Sequence, residues 1–146
     1  MKKLLFIIPL GLSLTAMSCS ESTEQTTSET TIIEATIQQT TINEDVDVKV
    51  FSELVTQEGG QILDVRTPAE WEGGTIKGAT KMNFFDKDFD KQLEKLDKTK
   101  PVYVYCKSGG RSGKAAKKME KMGFTTIYNL LGGIGAWNAA GKETVK

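Results

Sequence analysis

The spacing of apolar residues divides the chain into three stretches. Residues 4–17 are largely apolar, residues 20–44 carry scattered isoleucines among polar residues, and from Asp45 onward short apolar runs alternate with helix-period segments. In the third stretch "VKVFSELVTQ" sets Val50, Leu54 and Val55 at helical spacing, and "QILDV" reads as a short buried strand. "TPAEWEGG" opens as a helix should. Thr67 is a good N-cap, Pro68 fits the first turn, Glu70 completes a capping box, and Gly73 and Gly74 end the turn. "DFDKQLEKL" puts Phe89, Leu93 and Leu96 on one helical face, and "PVYVY" is a second buried strand. "GKAAKKMEKMGF" is a helix stopped by Gly123, "TTIYNL" a third strand and "GGIGAWNAAG" a short last helix. Strands alternating with helices imply the α/β class: a mostly parallel sheet of about five strands, covered on both faces.

The first stretch starts with Lys2 and Lys3 and ends in small residues before Cys19. A positive start and a short apolar centre form a secretory signal, and that centre falls short of the roughly 20 residues of a membrane span. Its end, Ala16, Met17, Ser18 and Cys19, resembles a bacterial lipoprotein signal, with Ala16 where leucine is usual. The resemblance implies a signal peptide over residues 1–18, a lipid on Cys19 as the membrane contact, and a periplasmic or extracellular place on a bacterial cell envelope. Residues 19–44 then make an acidic, Ser/Thr-rich tether, too polar to offset its ordering entropy. As a coil it spans roughly 25–30 Å. The alternative is that Ile32, Ile33, Ile37 and Ile42 pack on the domain, which occupies residues 45–146.

Composition narrows the chemistry. The 19 basic and 19 acidic side chains cancel, which argues against a nucleic-acid partner. Without histidine there is no Ser-His-Asp or Cys-His machinery and no histidine-bound metal, and two cysteines are too few for a thiolate zinc site. Neither a metal nor a cofactor is expected.

What remains is a thiol. In "VYVYCKSGGRSGKAA" a strand stops at Cys106, and Lys107, Ser108, Gly109, Gly110 and Arg111 lead to a helix starting near Ser112. In a parallel sheet, reactive loops lie beyond the carboxyl ends of the strands. Glycines let successive N–H groups curl inward as an anion nest, and the helix start adds its free N–H groups. A thiol held there ionises well below the value of a free one. Two phosphate-binding readings fail on spacing. Gly109, Gly113 and Lys114 stand one residue too close for a P-loop, and Asn138 occupies the third glycine position of a dinucleotide turn.

Four blocks in order, "ILDVRTPAEWEGGTIKGATKMN", "VYVYCKSGGRSGKAA", "MGFTTIYNL" and "GGIGAW", resemble a single-domain rhodanese over residues 62–137. The resemblance implies a sulfurtransferase in which Cys106 is the nucleophile, holding sulfur as a persulfide, with the backbone of residues 107–111 wrapped around it. It implies a small anionic donor such as thiosulfate and a thiol or cyanide acceptor. The loop is one residue shorter than in phosphatases of related fold, which suits a lone sulfur. Lys107 and Arg111 are expected to attract the donor, Arg111 also to brace the loop, and Ser112 to cap the helix. Asp64 is expected to bond loop backbone and Arg66 to pair with Glu70, all three as structural groups near the site. Lys114, Lys117, Lys118 and Lys121 make a solvated basic face, and Trp71 and Trp137 are expected core anchors. The chain departs from the family at Thr75, where histidine is usual, and Lys77, where proline is usual. The competing reading is a non-catalytic module of the same fold, a thiol sensor or docking domain.

Overall fold

The strand Val102–Tyr105 is apolar at every position because it lies at the centre of a sheet with both faces covered. A computed structural model describes residues 40–146. In chain order the elements are β1 (Ile42–Val46), α1 (Val48–Leu54), β2 (Gln61–Asp64), α2 (Pro68–Trp71), β3 (Thr80–Lys81), α3 (Phe89–Leu93), β4 (Val102–Tyr105), α4 (Gly110–Lys121), β5 (Thr126–Leu130) and α5 (Gly133–Ala139). The five strands run parallel in the order β1-β5-β4-β2-β3.

Alternation along β4 sorts the core into two layers. Val102 and Val104 point to the face covered by α3 and α4, where Leu63, Phe89, Leu93, Ala115, Met119 and Ile127 are buried. Tyr103 and Tyr105 point the other way, into Phe51, Ile76, Leu130, Ile134 and Trp137. Phe51 meets the Tyr103 and Trp137 rings edge-on, both at 6.2 Å between centroids. Burying such a ring stabilises the fold by roughly 1.5–3 kcal/mol.

Several expectations are corrected. β1 begins at Ile42 and pairs with β5 from Ile42↔Thr126 to Val46↔Leu130, so the last three residues assigned to the tether belong to the sheet. In α1 the buried residue is Phe51, and Val50 faces solvent. Trp137 is a core anchor with its Nε1 donating to Glu143 O at 3.0 Å, whereas Trp71 is half-buried and its Nε1 has no partner. Thr75 is buried and its N–H donates to Val145 O at 2.7 Å, in an isolated antiparallel bridge. The signal segment, Cys19, Ile32, Ile33 and Ile37 lie outside the described residues.

Candidate active site

Cys106 stands one residue past the carboxyl end of β4, where the strand gives way to the glycine loop. Gly109 adopts φ +93°, a left-handed conformation that glycine enters without steric cost, and caps α4. α4 therefore starts at Gly110, two residues before the expected Ser112. Ser112 is not the cap. It lies inside the first turn, buried, and its hydroxyl donates back to Gly109 O at 3.0 Å. The Gly109 N–H donates to Cys106 Sγ at 3.2 Å.

Burial is the largest single influence on the thiol and pushes its pKa up. The Ser112 hydroxyl and the N–H groups of Ser112, Ser108 and Gly109 together outweigh it, so the net pKa lies below the ordinary value. The residue is only 1% exposed and borders the apolar layer under α4, so the sulfur sits at the floor of the loop.

A second helix start fixes the loop from outside. Ile134 N–H donates to Cys106 O at 2.8 Å and Gly135 N–H to Lys107 O at 3.2 Å. A trans peptide sets C=O and N–H in opposite directions. Holding the Lys107 carbonyl toward α5 therefore turns the Ser108 N–H toward the sulfur, where it lowers the thiol pKa. This approach needs Gly133, at φ +56°, because a Cβ there would lie 2.3 Å from Cys106 O. The sequence offered only the "GG" pair as a sign of it.

The four charged residues near the site pair differently from expectation. Arg66 does not pair with the Glu70 carboxylate. Its Nη2 donates to Asp64 Oδ2 at 2.6 Å and to Gly74 O at 2.7 Å, and its Nη1 donates to Glu70 O at 3.0 Å. Asp64 thus holds Arg66, side chain and backbone N–H alike, rather than the loop. Both are buried. The Tyr105 hydroxyl joins this frame by accepting from Ile76 N–H at 2.9 Å; burial and the Asp64 charge keep it protonated.

Glu70 instead takes Arg111 in a bidentate pair, both contacts at 2.7 Å, while accepting the Thr67 N–H and hydroxyl at 2.9 Å. Hydrogen bonds from Arg111, partly opposed by burial, hold the Glu70 carboxyl down at about 2. Arg111 also lies 5.7 Å from the Phe85 ring centroid, and Phe85 is 66% exposed at the rim. Arg111 is thus a brace between loop and α2. Its charge is engaged, which leaves Lys107, exposed on the loop, as the free cation among the residues expected to meet a donor. Lys118 pairs with Asp90 at 2.8 Å, so the basic face of α4 is partly neutralised.

A thiol at a strand end, ringed by inward amides and braced by an arginine, defines a cysteine-loop α/β domain. Residues 47–140 match the rhodanese-like domain family, and the chain belongs to it. It is 31% identical over 104 residues to a sulfurtransferase of Allochromatium vinosum, covering 71% of this chain and 95% of that protein. A thiosulfate sulfurtransferase of Coxiella burnetii is 36% identical over 87 residues, 60% of this chain and 79% of its own length. A tRNA uridine(34) hydroxylase of Pelagibacter ubique is 38% identical over 93 residues, 63% of this chain, and this chain spans only 31% of it. Among solved structures, a rhodanese-like domain from Anabaena superposes with a TM-score of 0.60 at 31% identity, covering 69% of this chain and 77% of that one.

Proposed function

We propose that the protein is a sulfurtransferase that carries sulfane sulfur on Cys106. The Cys106 thiolate attacks the outer sulfur of an anionic donor such as thiosulfate. A new S–S bond forms, the donor's S–S bond breaks, and sulfite leaves with the bonding pair. The enzyme is left as Cys-S-S⁻. An acceptor thiolate or cyanide then attacks the outer sulfur and releases the Cys106 thiolate. The loop amides stabilise the anionic persulfide by their fixed dipoles. No general base is required of a thiol whose pKa the loop lowers, and this suits a chain without histidine.

The observation that carries this reading is the Gly109 N–H on Sγ at 3.2 Å within a loop that favours the thiolate. Similarity to the Coxiella thiosulfate sulfurtransferase supports thiosulfate as the donor to try first. The test is intact mass after thiosulfate treatment. A gain of one sulfur atom, removed by cyanide and absent in Cys106→Ser, is expected; no gain in the native chain overturns it. The second reading, a non-catalytic thiol or docking module, draws on the 1% exposure of Cys106. It predicts no sulfur gain from any donor.

We further propose that residues 1–18 are removed and that Cys19 carries a lipid holding the domain to an envelope membrane. Its support is the pattern from Lys2 to Cys19. Cells expressing the full chain should yield a mature N-terminus at Cys19 with added acyl mass, lost in Cys19→Ala.

A further inference from the structure

The Gly109 carbonyl receives three donors. Gly113 N–H reaches it at 2.9 Å, the Ser112 hydroxyl at 3.0 Å and Asn129 Nδ2 at 3.3 Å. A carbonyl has two lone pairs, so one donor is in excess. Asn129 comes from the carboxyl end of β5, is buried, and gives the same Nδ2 to Asp45 Oδ1 of β1 at 2.7 Å. Both partners are acceptors only, which fixes the amide with its NH₂ toward them. The cost is visible. Asn129 Oδ1 is buried without a partner. A buried polar atom left unpaired is costly, and here it is tolerated by a residue that divides its donor between the loop and β1.

We propose that Asn129, oriented by Asp45, is a positioning residue for the Cys106 thiolate; the role in sulfur transfer rests on the reading above. Asn129 pins Gly109, the residue whose own N–H reaches Sγ. With Asn129 and the Gly113 N–H filling the carbonyl, the single Ser112 proton is free to turn from Gly109 O to the sulfur. That turn is favoured when the sulfur is charged, since charged acceptors make the stronger hydrogen bond. Ser112 thus has two partners, consistent with its contribution to the thiol's acidity. The other charged groups around the loop are Arg111 with Glu70 and Asp64 with Arg66, each already paired, and the exposed Lys107.

The test is the pH profile of iodoacetamide alkylation in the full chain, followed on the Cys106 peptide by mass spectrometry so that Cys19 does not contribute. In Asn129→Ala the profile should move to higher pH, and the rate constant at pH 7 should fall about three- to tenfold. A folded Asn129→Ala with the native profile overturns the proposal. If that variant does not fold, Asp45→Ala and Asp45→Asn decide. Both remove a negative charge, which alone speeds ionisation equally in the two. Only Asp45→Asn keeps an acceptor for Nδ2, so Asp45→Ala should alkylate at least about twofold more slowly than Asp45→Asn; equal rates overturn the proposal. Alkylation needs no sulfur donor. A native chain that takes up no sulfur therefore sinks the transferase reading without touching this one.

Discussion

Two helices begin beside Cys106, and both begin on a left-handed glycine: Gly109 before α4 at φ +93° and Gly132 before α5 at φ +73°. The same device serves opposite ends. α4 offers the sulfur the amides of its cap, Gly109, and of Ser112 in its first turn. α5 spends its first amides on the carbonyls of Cys106 and Lys107. The first is the half that meets the reacting atom, and the second is the half that makes the first possible. A loop that aims N–H groups at a sulfur must send its carbonyls elsewhere, and α5 takes those of Cys106 and Lys107.

The most severe way to break this division is Gly133→Ala. The added methyl carbon would meet Cys106 O at 2.3 Å and Lys107 O at 2.8 Å, on backbone already at φ +56°. We expect a loss of roughly 2–4 kcal/mol and a thermal midpoint lower by about 10 °C or more, with slower Cys106 alkylation. A stable variant with native alkylation would show that α5 is not the clamp. Gly109→Ala sharpens the other side. Its nearest neighbours would be Leu130 O at 3.2 Å and Gly132 N at 3.3 Å, so the φ penalty dominates. About 1–2 kcal/mol of stability should go, yet sulfur uptake by mass spectrometry should fall at least tenfold, because the Gly109 N–H leaves Sγ.

A smaller effect is expected at the rim brace. Glu70 is depressed from 4.5 to about 2 in the folded protein. A carboxylate with a lowered folded pKa adds stability above its unfolded value and loses it as pH falls toward the folded value. Glu70→Gln should therefore lower stability at neutral pH by about 1 kcal/mol, the pair being partly solvated. It should flatten the fall in stability between pH 4.5 and about 2. Thermal melts across that window measure it. Least of all should Lys118→Ala matter, at under about 0.5 kcal/mol, since its pair with Asp90 is exposed.

The sequence disclosed the parts of this site that are local. Runs such as "PVYVY" marked buried strands, the glycines after Cys106 marked the loop, and the Thr67 to Glu70 spacing marked the capping box that the structure contains. What it hid was contact between distant segments. Arg66 has an acid two positions before it and another four positions after it, and only the fold decides for Asp64. Glu70 finds Arg111 forty-one positions away, and Asn129 meets Asp45 eighty-four away. β1 escaped notice for a different reason. As an edge strand with a single partner, "INEDV" carries charges that a central strand could not, and it reads like the polar stretch before it.

The bridge between Thr75 and Val145 gives the far end of the chain mechanical work. Thr75 exchanges both backbone hydrogen bonds with Val145, and it stands between Ile76, whose N–H donates to the Tyr105 hydroxyl, and Gly74, whose carbonyl Arg66 grips. Clipping residues 144–146 would unlatch that segment, and hydrogen exchange at the Thr75 amide would report the latch opening.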